Sequence, residues 1–138
     1  MDNIAATSKM ARLYIATGFL YFIIGTILLA LNISNLLAIN RDPIFILLLY
    51  GFVTQLIFGV SYIFVPGVSR HGGASYKTIM LEYILLNVGI IAFESVALTG
   101  QKEIILLIAG LAALIIAVLV HAINILRTII GRKSKNSA

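Results

Sequence analysis

The fold is decided by a stretch late in the chain, residues 104 to 126, which reads IILLIAGLAALIIAVLVHAINIL. It contains no charged residue, and its polar side chains are His121 and Asn124. A helix needs about 20 apolar residues to cross the hydrocarbon core of a bilayer. This stretch therefore predicts a membrane-spanning helix.

The composition of the whole chain agrees with that prediction. Of its 138 residues, 61% are hydrophobic and only 11% are charged, and the mean hydropathy is +1.08. Soluble domains average roughly 45–50% apolar and about 25% charged residues, so the composition indicates an integral membrane protein. The sequence contains no cysteine, which excludes disulfides, thiolate metal sites, iron–sulfur clusters and a catalytic thiol.

Three more apolar runs precede this one, and together they predict an all-α, four-helix membrane bundle that forms a single domain, 1–138. The first run is longer than the core of a secretory signal peptide and lacks a cleavage site, so we expect it to be retained. Pro43 suits the first turn of the second helix, where its missing N–H costs nothing. The predicted helices cover about 13–37, 44–65, 78–98 and 103–130.

The basic residues predict the orientation of the bundle. Eight lysines and arginines fall on the side of the two chain ends and the middle loop, whereas the opposite side has only Arg41 and Lys102. The excess of positive charge indicates that both termini are cytoplasmic in a multi-pass protein of the cell membrane. Because these residues sit at headgroup level and form no patch on a folded surface, we expect no nucleic-acid partner.

Small and polar residues recur every three, four or seven positions in each run, which places them on one side of each helix. In lipid, such stripes mark the faces through which helices pack, here in a left-handed bundle. The sequence leaves open whether the stripes pack within the chain or against a partner. The residues expected at helix contacts or in the polar interior are Gly18, Gly25, Gly51, Gln55, Gly59, Asn87, Glu94, Gly110 and Asn124.

Two carboxylates lie within the third apolar run. Glu94 is close enough to a helix end to reach the membrane interface, and the alternatives are a buried pair or a role in proton movement. Glu82 lies near the other end, where we expect an interfacial residue that neutralises Lys77 or Arg127.

His121 is the candidate cofactor residue, because a histidine inside the membrane can ligate haem or metal. The simpler interpretation is a hydrogen bond to a neighbouring helix. The other histidine, His71, lies in a loop, and the two have no ligand spacing. We therefore expect no metal site and no cofactor held by this chain alone. No hydrolase motif or phosphate-binding loop is present, so no catalytic residue is predicted.

Residues 49–62, LYGFVTQLIFGVSY, followed by Val65, Pro66 and Gly67, resemble a segment of small four-helix membrane proteins related to the catalytic subunit of haem–copper oxidases. Residues 124–128, NILRT, and an aromatic, glycine-rich first helix extend the resemblance over most of the chain. In that family the second helix usually opens with one or two haem-binding histidines. Here residues 44–48 read IFILL, so the resemblance implies a scaffold without those ligands.

The sequence thus predicts a non-catalytic accessory subunit of a larger prokaryotic membrane redox complex, of the terminal oxidase or membrane monooxygenase type. Its predicted partners are the lipid bilayer and the larger integral subunits of that complex. Two alternatives remain: a haem or metal protein in which a partner completes the ligand set of His121, and a small transporter or proton pathway that uses Glu94.

Overall fold

The computed structural model describes residues 3–37, 40–69, 74–99 and 103–130, and nearly all of these residues are helical. Four of the helical stretches are long and apolar enough to cross a membrane, which confirms the prediction of an all-helical multi-pass protein. The second of them combines two α-helices and a π-helical segment. The elements are α1 (Asn3–Ile33), α2 (Arg41–Ile46), the π-helix (Leu47–Val53), α3 (Thr54–Ser69), α4 (Tyr76–Thr99) and α5 (Ile104–Ile130).

Hydrogen bonds between the helices fix their relative directions. Tyr14 and Tyr21 of α1 bond to Glu82 and Asn87 of α4, in the same order along both helices. Tyr62 and Gln55 of the second span bond to the same two residues in reverse order. Hence α1 and α4 run in one direction and the second span in the other. Glycine contacts between α4 and α5 show that α5 also runs opposite to α4.

The start of α1, the end of α3, the start of α4 and the end of α5 therefore share one end of the bundle, which we call the basic end. Its name comes from four exposed residues of the described chain, Lys9, Arg12, Lys77 and Arg127.

Helix α1 begins ten residues before the predicted start and ends four residues before the predicted end. Its end is set by Asn35, which has a positive φ of 56°. The N–H of Asn35 bonds to the carbonyl of Asn32, and the N–H of Leu36 bonds to that of Leu31. This is a Schellman cap, in which Asn takes the left-handed position. Leu36 and Leu37 are apolar but lie beyond the helix, so the hydropathy pattern predicted a helix end that is four residues too late.

The second span runs from Arg41 to Ser69 rather than 44–65. The side chain of Asn40 accepts a hydrogen bond from the N–H of Arg41 at 3.0 Å and begins the helix. Pro43 lies in the first turn, as predicted, and the helix continues through Pro66 instead of ending before it. The π-helical turns were not predicted, because an apolar run has the same composition in either kind of helix.

Helices α4 and α5 lie within two residues of their predicted bounds. Each begins after a residue whose backbone carbonyl accepts the first helical hydrogen bond, Ser75 for α4 and Glu103 for α5.

The glycine stripes pack inside the chain. A Cβ at Gly59 would lie 3.0 Å from the carbonyl oxygen of Ala11, and one at Gly51 would lie 2.7 Å from Cγ of Tyr21, so these glycines let the second span approach α1. A Cβ at Gly89 would lie 2.6 Å from Cγ of Leu114, where α4 meets α5. The structure thus places these small residues at intrachain contacts. Gly18, Gly25 and Gly110 also face neighbouring helices.

Candidate functional site: a buried carboxylate between four spans

Glu82 is the centre of the most extensive polar cluster in the described bundle. It is the seventh residue of α4, about 9 Å along the helix from its start, and its exposed fraction is 0%. The expectation that it lies at the interface and neutralises Lys77 or Arg127 is wrong. Its side chain turns into the bundle, where Tyr14 of α1, Tyr62 of α3 and His121 of α5 all reach it.

Four polar groups surround the Glu82 carboxylate. Oε1 accepts from the Tyr14 hydroxyl at 2.8 Å and contacts His121 Nδ1 at 2.9 Å. Oε2 accepts from the Tyr62 hydroxyl at 2.5 Å and from Asn124 Nδ2 at 3.2 Å. An ionised carboxylate has about four acceptor positions, so these groups fill its whole capacity. The geometry fits a carboxylate that is paired inside the membrane, as such a group requires.

The ring of His121 is held on three sides. Nδ1 faces Glu82, and Nε2 lies 2.9 Å from the hydroxyl of Ser61. The ring of Phe58 is stacked on the imidazole, with centroids 3.8 Å apart and planes 6° apart, while Tyr62 meets it edge-on. In this arrangement both ring nitrogens are engaged within the chain, so a haem iron or metal would have to displace Ser61 or Glu82.

The described residues also contain no group of three or more histidines, cysteines or carboxylates placed to hold a metal ion. His121 Nδ1 and Glu82 Oε1 lie 2.9 Å apart and form an ion pair when the imidazole is protonated.

Asn124 ties α5 to the same centre. Besides bonding to Glu82, its Nδ2 donates to the Tyr62 hydroxyl at 3.1 Å. Thr128, one turn further along α5, donates to the backbone carbonyl of Asn124 at 2.8 Å. His121, Asn124 and Thr128 are all buried and follow one another at spacings of three and four, so they share one face of α5.

A second polar cluster lies nearer the middle of the bundle, around Asn87. Its Oδ1 accepts from the Tyr21 hydroxyl at 2.8 Å and from Gln55 Nε2 at 3.0 Å, and its Nδ2 donates to the carbonyl of Tyr83. The structure thus brings together Gln55 and Asn87, which the sequence placed in the polar interior. The other amide atom of Gln55, Oε1, is buried and has no hydrogen-bond partner among the described residues.

Glu94 lies two turns beyond Asn87 along α4 and is half-buried. Its Oε2 atom is buried without a hydrogen-bond partner in the described part of the chain. The structure therefore leaves Glu94 separate from the Glu82 centre.

A groove lies between the second span and α5. It is further from the basic end than the Glu82 centre. At the centre the two spans are joined through Ser61 and His121. Further along they enclose a cavity of about 300 Å³, whose floor is on α4. Its lining residues are Tyr50, Thr54, Leu86, Phe93, Leu111, Leu114, Ile115, Val118 and Leu119. We call this the α3–α5 groove.

The sequence did not predict that Tyr14 and Tyr62 converge on Glu82, or that Ser61 meets His121. One signal was available. Glu82 is in phase with Ile79, Leu86 and Gly89 at spacings of three, four and three, and all four are buried. That pattern describes an inward face of α4.

No protein-family model, no curated protein and no solved structure matches the chain. The resemblance to relatives of the haem–copper oxidase catalytic subunit remains a prediction from the residues that carry it.

Proposed function

We propose that this protein is a non-catalytic accessory subunit that packs through its α3–α5 groove against a transmembrane helix of a larger prokaryotic redox complex. The groove is the observation that carries the proposal. It lies between residues 111 and 119 of α5, which runs from Ile104 to Ile130, and so it falls at the middle of the span, in the hydrocarbon core.

The chemistry of the groove favours a helix over a lipid chain as its occupant. Tyr50 lines the groove, and its hydroxyl has no hydrogen-bond partner among the described residues. The hydroxyl of the neighbouring Thr54 is already bonded to the carbonyl of Leu49. An unpaired hydroxyl in hydrocarbon is costly, and an acyl chain offers it no partner. A polar side chain on a neighbouring helix supplies one, as interhelical contacts in membranes often do.

The glycine stripes support this choice of surface indirectly. Gly51, Gly59 and Gly89 are occupied by contacts within the chain. A partner therefore needs a different surface, and the groove combines concave shape with an unpaired polar group.

The choice of a redox host rests on the sequence resemblance, and the choice of orientation rests on charge. In the sequence, eight of the ten lysines and arginines fall at the two chain ends and between the second and third spans. On that charge bias, both termini are assigned to the cytoplasm of a cell membrane.

A matched pair of tryptophan variants tests the proposal. Ile115 lines the groove, whereas Ile116 points elsewhere, and their exposed fractions are 51% and 46%. We expect Ile115→Trp to abolish co-purification with the redox complex extracted in mild detergent, and Ile116→Trp to retain it. Equal retention by both variants, with both fully membrane-inserted, would contradict docking at the groove.

A proton or ion pathway through Glu94 is the second candidate. It is favoured by two buried acceptor atoms without partners, Glu94 Oε2 and Gln55 Oε1, because such atoms invite a proton, a water or a cation. The test is proton flux into vesicles that contain the purified protein. Flux that is lost in Glu94→Gln would support this candidate, and flux equal to that of empty vesicles would remove it.

A further inference from the structure

Three basic residues from three different helices lie at one level of the basic end. Lys9 precedes Tyr14 by five residues in α1, and Lys77 precedes Glu82 by five residues in α4. The Tyr14 hydroxyl donates to Glu82, and the two helices run in the same direction. Lys9 and Lys77 are therefore level with each other, each about 7.5 Å along the helix from the residue that makes this bond.

Arg127 of α5 joins them at that level. It follows His121 by six residues, in a helix that runs opposite to α4, and His121 Nδ1 lies 2.9 Å from Glu82 Oε1. Six residues of helix rise by about 9 Å, so Arg127 lies within one helical turn of the level of Lys77. We call Lys9, Lys77 and Arg127 the cation layer.

The cation layer lies at the depth of lipid headgroups. From Ile104 to Arg127, helix α5 rises by about 35 Å. The hydrocarbon core of a bilayer is about 30 Å thick. When the other end of the bundle is at its own interface, the cation layer is therefore among the headgroups of the opposite leaflet.

The charges of the cation layer are not neutralised within the described chain. All three side chains are exposed, and none of them forms an ion pair with a described carboxylate. Glu82, the carboxylate nearest to their level, is fully buried and turned into the bundle. The other described carboxylates lie toward the opposite end: Asp42, Glu94 and Glu103. In the sequence, the adjoining segments 1–2, 70–73 and 131–138 add one carboxylate side chain and four basic ones.

The ends of two helices add to this positive charge. Both α1 and α4 begin at the basic end, and neither has an acidic residue in its first turn. Lys77 itself lies in the first turn of α4. The first turn of a helix favours anions and disfavours cations, so an anion bound beside Lys77 would stabilise both the side chain and the helix end.

An apolar surface extends from the cation layer into the membrane. On α4, Leu81 and Ile84 follow Lys77 at spacings of four and three, which places them on the same face of the helix, and their exposed fractions are 52% and 46%. On α5, Ile123 is one turn below Arg127 and is exposed as well. A cation above an exposed apolar face matches a molecule with an anionic head and an apolar tail.

We propose that the cation layer binds the phosphate groups of anionic phospholipids, whose acyl chains lie along the apolar faces of α4 and α5. This interaction surface is separate from the α3–α5 groove. A basic residue near an anionic membrane surface contributes a factor of about five in affinity, so three of them at one level give a clear preference over zwitterionic lipid.

The test is lipid retention by the full chain. The protein is reconstituted in vesicles with equal amounts of phosphatidylglycerol and phosphatidylcholine and extracted in mild detergent, and the retained lipids are counted by mass spectrometry. We expect phosphatidylglycerol to be retained at least about fivefold over phosphatidylcholine. Equal retention of the two lipids by the native chain would overturn the proposal.

Matched variants identify the residues responsible. We expect the triple variant Lys9→Gln, Lys77→Gln and Arg127→Gln to lower the preference at least about fivefold. Arg41→Gln removes one exposed charge at the opposite end and should keep the native preference. The same preference in the triple variant and in Arg41→Gln would show that the cation layer does not bind the lipid.

Inorganic phosphate distinguishes a lipid from a soluble ligand. The free ion has no acyl chain to lie on Leu81 and Ile84, so excess phosphate should leave the lipid preference as it is in chloride of equal ionic strength. A preference lost in phosphate but kept in chloride would assign the cation layer to a soluble phosphate instead.

Discussion

Glu82 Oε1 and His121 Nδ1 lie 2.9 Å apart, although the two residues are separated by 39 positions. The contact joins α4 to α5 near the basic end, and the close approach of Gly89 to Leu114 joins the same two helices further along. Two kinds of contact therefore set the register of this pair. One is a contact between two buried polar side chains, and the other is a packed glycine.

Removing the Glu82 carboxylate should destabilise the bundle. In Glu82→Ala, two tyrosine hydroxyls, one amide and one imidazole lose their shared acceptor. Buried groups without partners are costly, but bonds inside membranes are individually modest, so we expect a loss of roughly 2–4 kcal/mol. The measurement is the free energy of unfolding in mixed detergent micelles.

Glu103→Gln is the control for that variant, because Glu103 is exposed and lies before α5. It should unfold like the native protein. Equal stability of Glu82→Ala and the native chain would mean that the Glu82 centre does not hold the spans together.

Two alanine substitutions on the same interface should differ. At Gly59 the added methyl meets the backbone carbonyl of Ala11 and the Cβ of Tyr14, both at 3.0 Å, as well as Cγ1 of Ile15 at 2.8 Å. Because backbone cannot move aside easily, we expect Gly59→Ala to cost about 1–3 kcal/mol. Thermal unfolding in detergent is the measurement.

At Gly25 the close contacts of the added methyl are with the side chain of Leu48, 2.9 Å from Cδ2 and 3.0 Å from Cγ. Its next contact, with Cβ of Leu47, is at an ordinary van der Waals distance of 3.5 Å. The end of a leucine side chain can rotate away, so Gly25→Ala should change stability by less than about 1 kcal/mol. The reverse order of the two variants would show that the contact between α1 and the second span is not as described.

The hydrogen bond between Tyr21 and Asn87 should be detectable as a coupling energy. In a double-mutant cycle of Tyr21→Phe and Asn87→Ala, the two losses of stability should not add, because each substitution removes the same bond. We expect a coupling of about 0.6 kcal/mol and no more than about 1.7, as for other bonds between membrane helices. Additive losses would mean that the Tyr21 hydroxyl does not bond to Asn87.

The end of α1 should depend on the side chain at position 35. A β-branched residue tolerates a positive φ poorly, so Asn35→Val should destabilise the cap by about 1–2 kcal/mol, while Asn35→Gly should preserve it. Hydrogen exchange at the amides of Asn35 and Leu36 reports the cap directly. Faster exchange in Asn35→Gly than in Asn35→Val would contradict this cap.

Most of the fold follows from the sequence because the bilayer imposes a simple rule. Any long apolar stretch must satisfy its backbone internally and therefore forms a helix, so four runs gave four spans. The ends were less predictable, since they depend on single residues that hydropathy does not distinguish. Asn35 ends α1 before two leucines, and Pro66 does not end α3.

The site was harder to predict than the fold because it is assembled from all four spans. Glu82 was assigned to the interface from its position near a helix end, and only the convergence of Tyr14, Tyr62 and His121 shows that it is internal. His121 and Asn124 were recognised as polar residues of one stripe. Their partner was not, because pairing between helices cannot be read from the spacing within one helix.

The contact with a larger subunit is tested most directly by photocrosslinking in the native membrane. A photoreactive amino acid replaces Ile115 in one variant and Ile116 in the other, and the crosslinked peptides are mapped by mass spectrometry. We predict that position 115 crosslinks to a transmembrane helix of a redox subunit that co-purifies in fixed stoichiometry, and that position 116 crosslinks to lipid. Crosslinks from position 115 to lipid alone, or to a second copy of this chain, would contradict the proposed role.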